Sequence, residues 1–278
     1  MAPCWRLSDG AASERAQRTR SRCLLGARER AEIMNRRHIQ PEILDELAVD
    51  DPRAVQSRRD LQKINVFMGH TGIITRALRA AHDPLRLVVE LGAGDGTLLL
   101  RIARRLAGQT GVRALLVDRR PSVSADTLEA LTAAGWTVDI CESDVFEWLC
   151  RPQAETADAT IANLFLHHFR EGQLAHLLNL ASQQTKRFIA CEPRRSRAAL
   201  AGSSLLPLIG CNDVTTHDAD VSVRAGFRDR ELSALWPPDA EWQVTERRAG
   251  LFSHAFMAAR HEPVTPAAPP SRESRTSA

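Results

Sequence analysis

The chain of 278 residues lacks tyrosine altogether, and only two of its 37 basic residues, Lys63 and Lys186, are lysines; the other 35 are arginines. Together with abundant alanine, this imbalance indicates the codon bias of a GC-rich genome more than a function. The formal net charge of +3 is too small to create a global field that favours nucleic acid. The charge balance therefore predicts no nucleic-acid partner.

Three other features are missing. No apolar run reaches the roughly 18 residues that a membrane-spanning helix needs, so no membrane span is expected. The six cysteines contain no C-x-x-C pair, which disfavours a zinc site, and no metal is expected. Scattered thiols suit a reducing compartment as small core residues, and we therefore expect a cytoplasmic protein.

Composition also predicts the domain boundaries. Residues 1–33 are rich in arginine and have no apolar h-region, which excludes a secretory signal, and their acids disfavour a transit peptide. We expect a disordered leader there and a disordered tail over the Pro-, Ala-, Ser- and Arg-rich residues 262–278. Between them, residues 34–83 are predicted to form an N-terminal helical cap and residues 84–261 the main domain.

The most informative segment is residues 88–97, with the sequence Val-Val-Glu-Leu-Gly-Ala-Gly-Asp-Gly-Thr. It predicts a strand, a glycine turn and a helix that begins at Thr97. Glycines let the backbone approach a ligand closely, and a helix N-terminus favours an anionic group. The spacing differs from the G-x-G-x-x-G of dinucleotide-binding turns, because the third glycine comes one position early. A generic glycine-rich turn and a deviant dinucleotide loop stay open as alternatives.

Strand and helix patterns alternate after this turn, which is typical of a mostly parallel sheet with helices on both faces. Helical patterns at 42–47, 57–70 and 73–81 precede the first strand, and the last two are separated by a break at 69–72. Asp51 is the predicted cap and Pro52 the first helical position after the first of these helices. Residues 194–237 interrupt the alternation as an insertion after the fifth strand. Periodicity alone gives a mostly parallel α/β fold. The predicted strands are 87–91, 114–117, 137–140, 160–164 and 187–191, followed by a late antiparallel hairpin of 242–247 and 253–259.

The form E-x-G-x-G-x-G, from Glu90 to Gly96, resembles motif I of the class I S-adenosylmethionine (SAM) methyltransferases. The resemblance implies a Rossmann-like α/β fold with a mostly parallel seven-stranded sheet in the order 3-2-1-4-5-7-6, strand 7 being antiparallel. It implies SAM as the cofactor, bound by Glu90, Gly92, Ala93, Gly94 and Gly96.

Acids follow the next two strands. Asp118 ends the second strand a little over twenty residues beyond the glycine turn, where an acid can accept both hydroxyls of a ribose, and Arg119 is placed to lie along an adenine. Asp144 follows the third strand. The resemblance implies that Asp144 accepts the adenine amino group and that the backbone N–H of Val145 reaches a ring nitrogen. An N-cap of the following helix is the structural alternative for Asp144, and both roles can coexist.

The fourth strand runs into Asn163-Leu164-Phe165-Leu166-His167-His168, and its carboxyl end lies over the crevice where ligands of open α/β sheets bind. The "LHH" variant of this segment resembles that of small-molecule methyltransferases. We expect Asn163 and Leu164 to line the SAM site and His168 to contact the substrate, whereas capping or packing is the structural alternative for either histidine.

The insertion after the fifth strand contains the remaining candidates. Arg194 and Arg224 are candidate substrate-binding residues, and solvation is the alternative for Arg194. His217, with Asp218 beside it, is the candidate base, because a phenol has a pKa near 10 and a positioned base helps to ionise it. A structural role for His217, and catalysis by proximity without any base, stay open.

Segments 57–65, 212–227, 230–237 and 249–254 resemble those of bacterial methyltransferases encoded beside type III polyketide synthases, and the likeness extends roughly over residues 34–260. It implies methyl transfer, with O-methylation expected, to a small aromatic, quinone or polyketide-like lipid acceptor, and it implies a substrate lid over 194–237. A nucleic-acid or protein methyltransferase, a non-enzymatic module with the SAM-binding fold and a nicotinamide dehydrogenase are the alternatives.

Overall fold

The computed structural model describes residues 34–48, 50–80 and 84–261. The predicted leader and tail lie outside these residues. Within them, no helix is long and apolar enough to cross a bilayer.

One sheet organises the described chain, with strand order β3-β2-β1-β4-β5-β7-β6. Neighbouring strands from β3 to β5 are parallel, whereas β7 runs antiparallel to both β5 and β6. This is the order that the resemblance implies. The strands are β1 (Leu87–Leu91), β2 (Val112–Asp118), β3 (Trp136–Glu142), β4 (Ala159–Asn163), β5 (Arg187–Pro193), β6 (Trp242–Ala249) and β7 (Ser253–Arg260).

Helices cover both faces of the sheet. Strand β1 is buried along its whole length, which explains why its sequence is a continuous apolar run apart from Glu90. Two buried hydrophobic clusters lie on opposite faces, one around α3, α4 and α5, the other around α6, α7 and Trp236. The described helices are α1 (Ile43–Glu46), α2 (Pro52–Met68), α3 (His70–Arg79), α4 (Thr97–Arg105), α5 (Ala125–Ala133), α6 (Val145–Cys150), α7 (Glu171–Gln184), α8 (Arg197–Ser203) and α9 (Asp213–Ala225), with 3-10 helices at Leu166–His168 and Leu206–Ile209.

The N-terminal helices differ from their predicted bounds. Helix α2 begins at Pro52, and Asp51 caps it by accepting the backbone N–H of Arg53, as the sequence predicts for both residues. The helix therefore extends five residues before the apolar pattern that starts at residue 57. The predicted four-residue break at 69–72 is a single residue, Gly69. Its φ of +71° lets the chain turn directly from α2 into α3.

The insertion at 194–237 contains helices α8 and α9, neither of which is predicted from the sequence. The side chains of Ser196 and Asn212 cap the two helices by accepting N–H bonds from Ala199 and Thr215. Helix α9 packs against the N-terminal helices, where the hydroxyls of Thr215 and Ser57 lie 3.0 Å apart. His217 and Asp218 both lie within α9.

Candidate functional site

A cavity of about 740 Å³ opens at the carboxyl edge of the sheet. Its walls come from the turn after β1, the ends of β2, β3 and β4, and the N-terminal segment with helix α2. This volume lies within the range of about 300–1,000 Å³ that is usual for small-molecule sites.

The glycine turn supplies one wall. Gly92, Gly94 and Gly96 all have positive φ, at +69°, +55° and +69°, a conformation in which a side chain is strained. A Cβ on Gly92 would come within 2.3 Å of the Phe165 ring, whereas one on Gly94 would meet no heavy atom within 4 Å. Gly92 is therefore required by packing, while Gly94 leaves open space.

Asp95 fixes the turn to the helices on either side. Its Oδ1 accepts the backbone N–H and the hydroxyl of Thr97, at 3.0 and 2.7 Å, in the first turn of α4. Its Oδ2 accepts a bond from the side-chain amide of Gln62, on α2, at 2.6 Å. Helix α2 is therefore attached directly to the glycine turn.

Asp118 lies opposite the turn. Its Oδ2 accepts the N–H of Gly94 at 2.8 Å, and its Oδ1 accepts the N–H of Arg120 at 2.7 Å. These bonds fix the carboxylate on the cavity wall. Each oxygen keeps a further lone pair, so the group can still accept the two hydroxyls of a diol.

Asp144 caps a helix, which is its structural alternative, and also lies on the cavity wall. Its Oδ1 caps α6 by accepting the N–H of Phe146 at 2.8 Å, and the residue lines the cavity together with Val145. Phe146 packs edge-on against Phe169, with ring centroids 5.5 Å apart, and both line the same end. This end offers aromatic surface beside a carboxylate, a combination that suits a flat heterocycle with an amino group.

Three buried oxygens on the wall find no donor among the described residues: Glu90 Oε2, Asn65 Oδ1 and Asn163 Oδ1. Burial, reinforced by the nearby Asp95 and Asp118, raises the pKa of Glu90 to about 8. Buried oxygen atoms normally accept a hydrogen bond. These three oxygens therefore fit a ligand that brings several N–H donors or a positive charge.

Beside the end of β4, a charged cluster connects Glu42, which lines the cavity, with His167 and Glu192, which do not line it. His167 is buried; its Nδ1 lies 2.7 Å from Glu192 Oε2 and its Nε2 lies 3.2 Å from Glu42 Oε1. Burial opposes the charge on His167, but the two carboxylates outweigh it and raise its pKa to about 9. Glu192 also accepts the N–H groups of Phe165 and Leu166, which fixes the turn after β4.

His168, next in sequence, faces the cavity. Its Nδ1 lies 3.7 Å from Asp45 Oδ2. Burial and the adjacent positive charge of His167 lower the pKa of His168, so its imidazole is neutral at neutral pH. Potential ligand atoms of Glu42, His167 and His168 lie within 4.8 Å of one another, but both ring nitrogens of His167 already face carboxylates.

The structure gathers most of the residues that the sequence singles out for the cofactor. Leu164, one of these residues, has a φ of +52°. Such a positive φ is rare for a residue other than glycine, and residues in this conformation cluster at functional sites. Gly96 does not line the cavity but precedes the first turn of α4. The predicted cofactor residues on the wall are Glu90, Gly92, Ala93, Gly94, Asp118, Arg119, Asp144, Val145, Asn163 and Leu164.

The predicted catalytic residues, His217 and Asp218, and two predicted substrate-binding residues, Arg194 and Arg224, do not line this cavity either. Asp218 is buried and accepts the N–H groups of Ile43 and Leu44 at 2.8 and 2.9 Å, so it caps α1. His217 is half-exposed with its Nδ1 3.1 Å from Asp218 Oδ1. Arg224 pairs with Asp220 one turn away on α9, and Arg194 bonds through its backbone N–H to Phe252.

Sequence reasoning missed Glu42, Asn65 and Gln62. These side chains come from the N-terminal helices, and no motif marks them, because only the folded chain brings them to the glycine turn and to β4. Helix α2 contains many polar residues, so Gln62 and Asn65 do not stand out in the sequence.

Solved structures with this fold include three methyltransferases. An O-methyltransferase family protein from Burkholderia thailandensis is 19% identical with a TM-score of 0.53, over 76% of this chain and 61% of that protein. The plantazolicin methyltransferase BpumL in complex with SAH is 10% identical with a TM-score of 0.55, over 76% and 92%. The mitomycin 7-O-methyltransferase MmcR is 19% identical with a TM-score of 0.51, over 78% and 60%.

These similarities and the strand order confirm the predicted Rossmann-like class I methyltransferase fold. At such identities they show the fold alone. The chain spans only 61% and 60% of the two O-methyltransferases. No protein-family model and no curated protein sequence matches the chain.

Proposed function

We propose that this protein is a SAM-dependent methyltransferase acting on a small-molecule acceptor. The observation that carries the proposal is the group of buried acceptors on the cavity wall, Glu90 Oε2, Asn65 Oδ1 and Asn163 Oδ1. The α-ammonium group of SAM brings three donors and a positive charge, which would satisfy these oxygens and favour the ionised form of Glu90.

The remaining parts of SAM match the rest of the wall. Asp118, held by two backbone N–H groups, would accept the ribose hydroxyls. Asp144 and the aromatic surface of Phe146 would hold the adenine, with the N–H of Val145 directed to a ring nitrogen. When bound, SAM supplies an activated methyl group on a sulfonium. The chain's own part is to hold donor and acceptor close and in line.

Calorimetric titration with SAM and with NAD tests the cofactor. We expect SAM to bind and NAD not to bind, and D118A to weaken SAM binding at least tenfold. Asp139, an exposed acid on β3 that pairs with Arg113, provides the matched control D139A, which should bind SAM like the wild type. Failure of the wild type to bind SAM, or equal binding by D118A, would contradict the proposal.

For the acceptor we propose a small aromatic, quinone or polyketide-like lipid, methylated on oxygen. The resemblance to methyltransferases encoded beside type III polyketide synthases supports this class. The names of two similar structures refer to plantazolicin and mitomycin, which are small relative to proteins and nucleic acids. An adjacent polyketide synthase gene would strengthen the proposal.

We propose His168, rather than His217, as the proton acceptor. His168 lines the cavity and is neutral at neutral pH, whereas His217 lies on α9 away from the wall. As the new O–CH3 bond forms and the C–S bond breaks, the hydroxyl proton of the acceptor would pass to the free ring nitrogen of His168. Asp45 would stabilise the resulting imidazolium.

The variant H168Q should lower kcat about 100-fold, a typical loss for a general base, while SAM affinity stays within about twofold. The wild-type rate should also fall at acidic pH, where the imidazole becomes protonated despite its lowered pKa, and this acid limb should be absent in H168Q. H217Q is the matched control and should retain wild-type turnover. An unchanged pH profile in H168Q would limit this residue to positioning the acceptor.

A further inference from the structure

The carboxylate of Asp218, a residue of α9, is buried outside the cavity and is bound to the N-terminal segment. Its Oδ1 accepts the backbone N–H of Ile43 at 2.8 Å, and its Oδ2 accepts that of Leu44 at 2.9 Å. These are the first two N–H groups of α1, and the side chain of the preceding Glu42 does not cap them. Asp218 therefore caps α1 from a distant part of the chain.

Helix α1 depends on such contacts because it has only four residues, none of them buried. A helix of one turn is not stable in water by itself, so neighbouring elements determine its place in the fold. Besides the two bonds from Asp218, Ser222, one turn further along α9, donates its hydroxyl to the Glu42 carboxylate. The guanidinium of Arg120 donates to the carbonyl of Asp45. Helix α9 thus holds the start of α1 at two points.

Helix α1 also carries the acid that faces His168. Leu44 and Asp45 both line the cavity, and Asp45 Oδ2 lies 3.7 Å from Nδ1 of His168. Asp45 directly follows Leu44, whose N–H is bound by Asp218. A shift of the start of α1 would therefore change the distance between the Asp45 carboxylate and the imidazole.

We propose that Asp218 is a positioning residue, whose two bonds to α1 hold Asp45 beside His168. The inference rests on the proposed role of His168 as the proton acceptor. With Asp45 in place, the imidazolium that forms when the acceptor loses its proton faces a carboxylate. Asp218 does not line the cavity, so it acts through α1 and does not touch the reacting groups.

The charges that face His168 show how a displaced α1 would be detected. Burial, the largest effect, and the adjacent charge of His167 lower the pKa of His168, whereas the carboxylates of Glu42, Asp45 and Glu192 raise it. Glu42 and Glu192 are each held by their own bond to His167. Loosening of α1 therefore weakens mainly the contribution of Asp45, and the pKa of His168 falls further.

Proton NMR titration of the histidine ring signals of the full, ligand-free chain tests the proposal without any acceptor. The signal of His168 is assigned by its absence in H168Q. We expect D218A to lower the pKa of His168 by about half a pH unit, the size of a partly exposed ion pair, and D45N to lower it equally. The double variant D45N/D218A should titrate like D45N, because both substitutions remove the same interaction.

The variant D220A is the matched control, since it removes an acid of α9 that pairs with Arg224, and its His168 should titrate as in the wild type. D218N keeps the buried volume but sets an NH2 group against one of the two N–H donors. It should shift the pKa in the same direction, and it serves where D218A does not fold, as judged by circular dichroism.

An unchanged pKa of His168 in the folded Asp218 variants, or a further decrease in D45N/D218A beyond D45N, would overturn the proposal. If the pKa falls as expected but H168Q keeps wild-type turnover, the positioning by Asp218 is confirmed and the proposed role of His168 as proton acceptor is wrong. The two proposals can therefore fail separately.

Discussion

Glu90 is a carboxyl group that folding buries beside two other acids, Asp95 and Asp118. Burial first, and the two neighbouring charges second, raise its pKa from 4.5 to about 8. Between about pH 4.5 and pH 8, Glu90 is protonated in the folded, ligand-free protein and ionised in the unfolded chain. The stability from this proton is complete below about pH 4.5 and is lost as the pH rises through about 8.

The variant E90Q should remove this dependence, because an amide does not ionise. In urea unfolding of the ligand-free proteins, the free energy of unfolding of E90Q relative to that of the wild type should rise by a few kcal/mol between about pH 5 and pH 9. SAM affinity should change in the opposite sense, with E90Q binding about tenfold more weakly above pH 8, where the wild-type carboxylate attracts the ammonium group. E142Q, at the exposed end of β3, is the control and should show neither effect. A parallel pH dependence in E90Q and wild type would refute the buried ionisation.

Sequence predicted the polar residues that follow strands, because their position depends only on local pattern. Asp118 and Asn163 end β2 and β4, and both line the cavity. Glu42 and Asn65 could not be predicted, since each acquires its place through tertiary contacts. His217 lies within α9 and does not line the cavity, whereas His168, which follows the end of β4, does.

At the scale of elements, buried apolar runs and local capping signals both predict the bounds of elements. Strand β1 was predicted with its observed bounds because it is buried throughout and apolar apart from Glu90. The start of α2 was predicted by Asp51 and Pro52, although the apolar helical pattern begins only at residue 57.

Helix α9 shows why no helix was predicted within the insertion. Val214, Asp218, Val221 and Ala225 are buried at helical spacing, so one face carries the core contacts. The acid in this series and the β-branched residues around it weaken the helical signal. Asp218 belongs to the buried face because its carboxylate caps α1, a partner 174 residues away in the sequence. Only that tertiary contact makes a buried acid compatible with the helix.

At the scale of the whole molecule, an ion-paired connection through Glu42, His167 and Glu192 links the N-terminal segment to the sheet. Glu42 precedes α1, His167 follows β4, and Glu192 lies on β5. The Glu42 carboxylate also accepts the hydroxyl of Ser222 on α9. Because residues of the same N-terminal segment line the cavity, the charge on His167 affects how firmly this part of the wall is held.

The protonation states of His167 and Glu42 limit the pH range over which this connection stabilises the folded protein. The pKa of His167 is raised from 6.5 to about 9, so its stabilising charge is complete below about pH 6.5 and is lost as the pH rises through 9. Burial opposes the charge on Glu42, but the hydrogen bond with His167 outweighs it and lowers the pKa of Glu42 from 4.5 to about 2. Its contribution is therefore complete above about pH 4.5 and is lost as the pH falls through 2.

The variant E42Q should accordingly lower the free energy of unfolding by about 1–3 kcal/mol near pH 6, the size of a buried hydrogen bond to a charged group. The difference from wild type should shrink toward zero as the pH rises through about 9, because the wild type then loses the same charge interaction. Urea unfolding at a series of pH values measures it. Glu46, an exposed acid on the same short helix, gives the matched control E46Q, which should unfold like the wild type throughout. An E42Q deficit that is equal near pH 6 and above pH 9 would show that Glu42 acts by packing, and that the N-terminal segment is held without an ion pair.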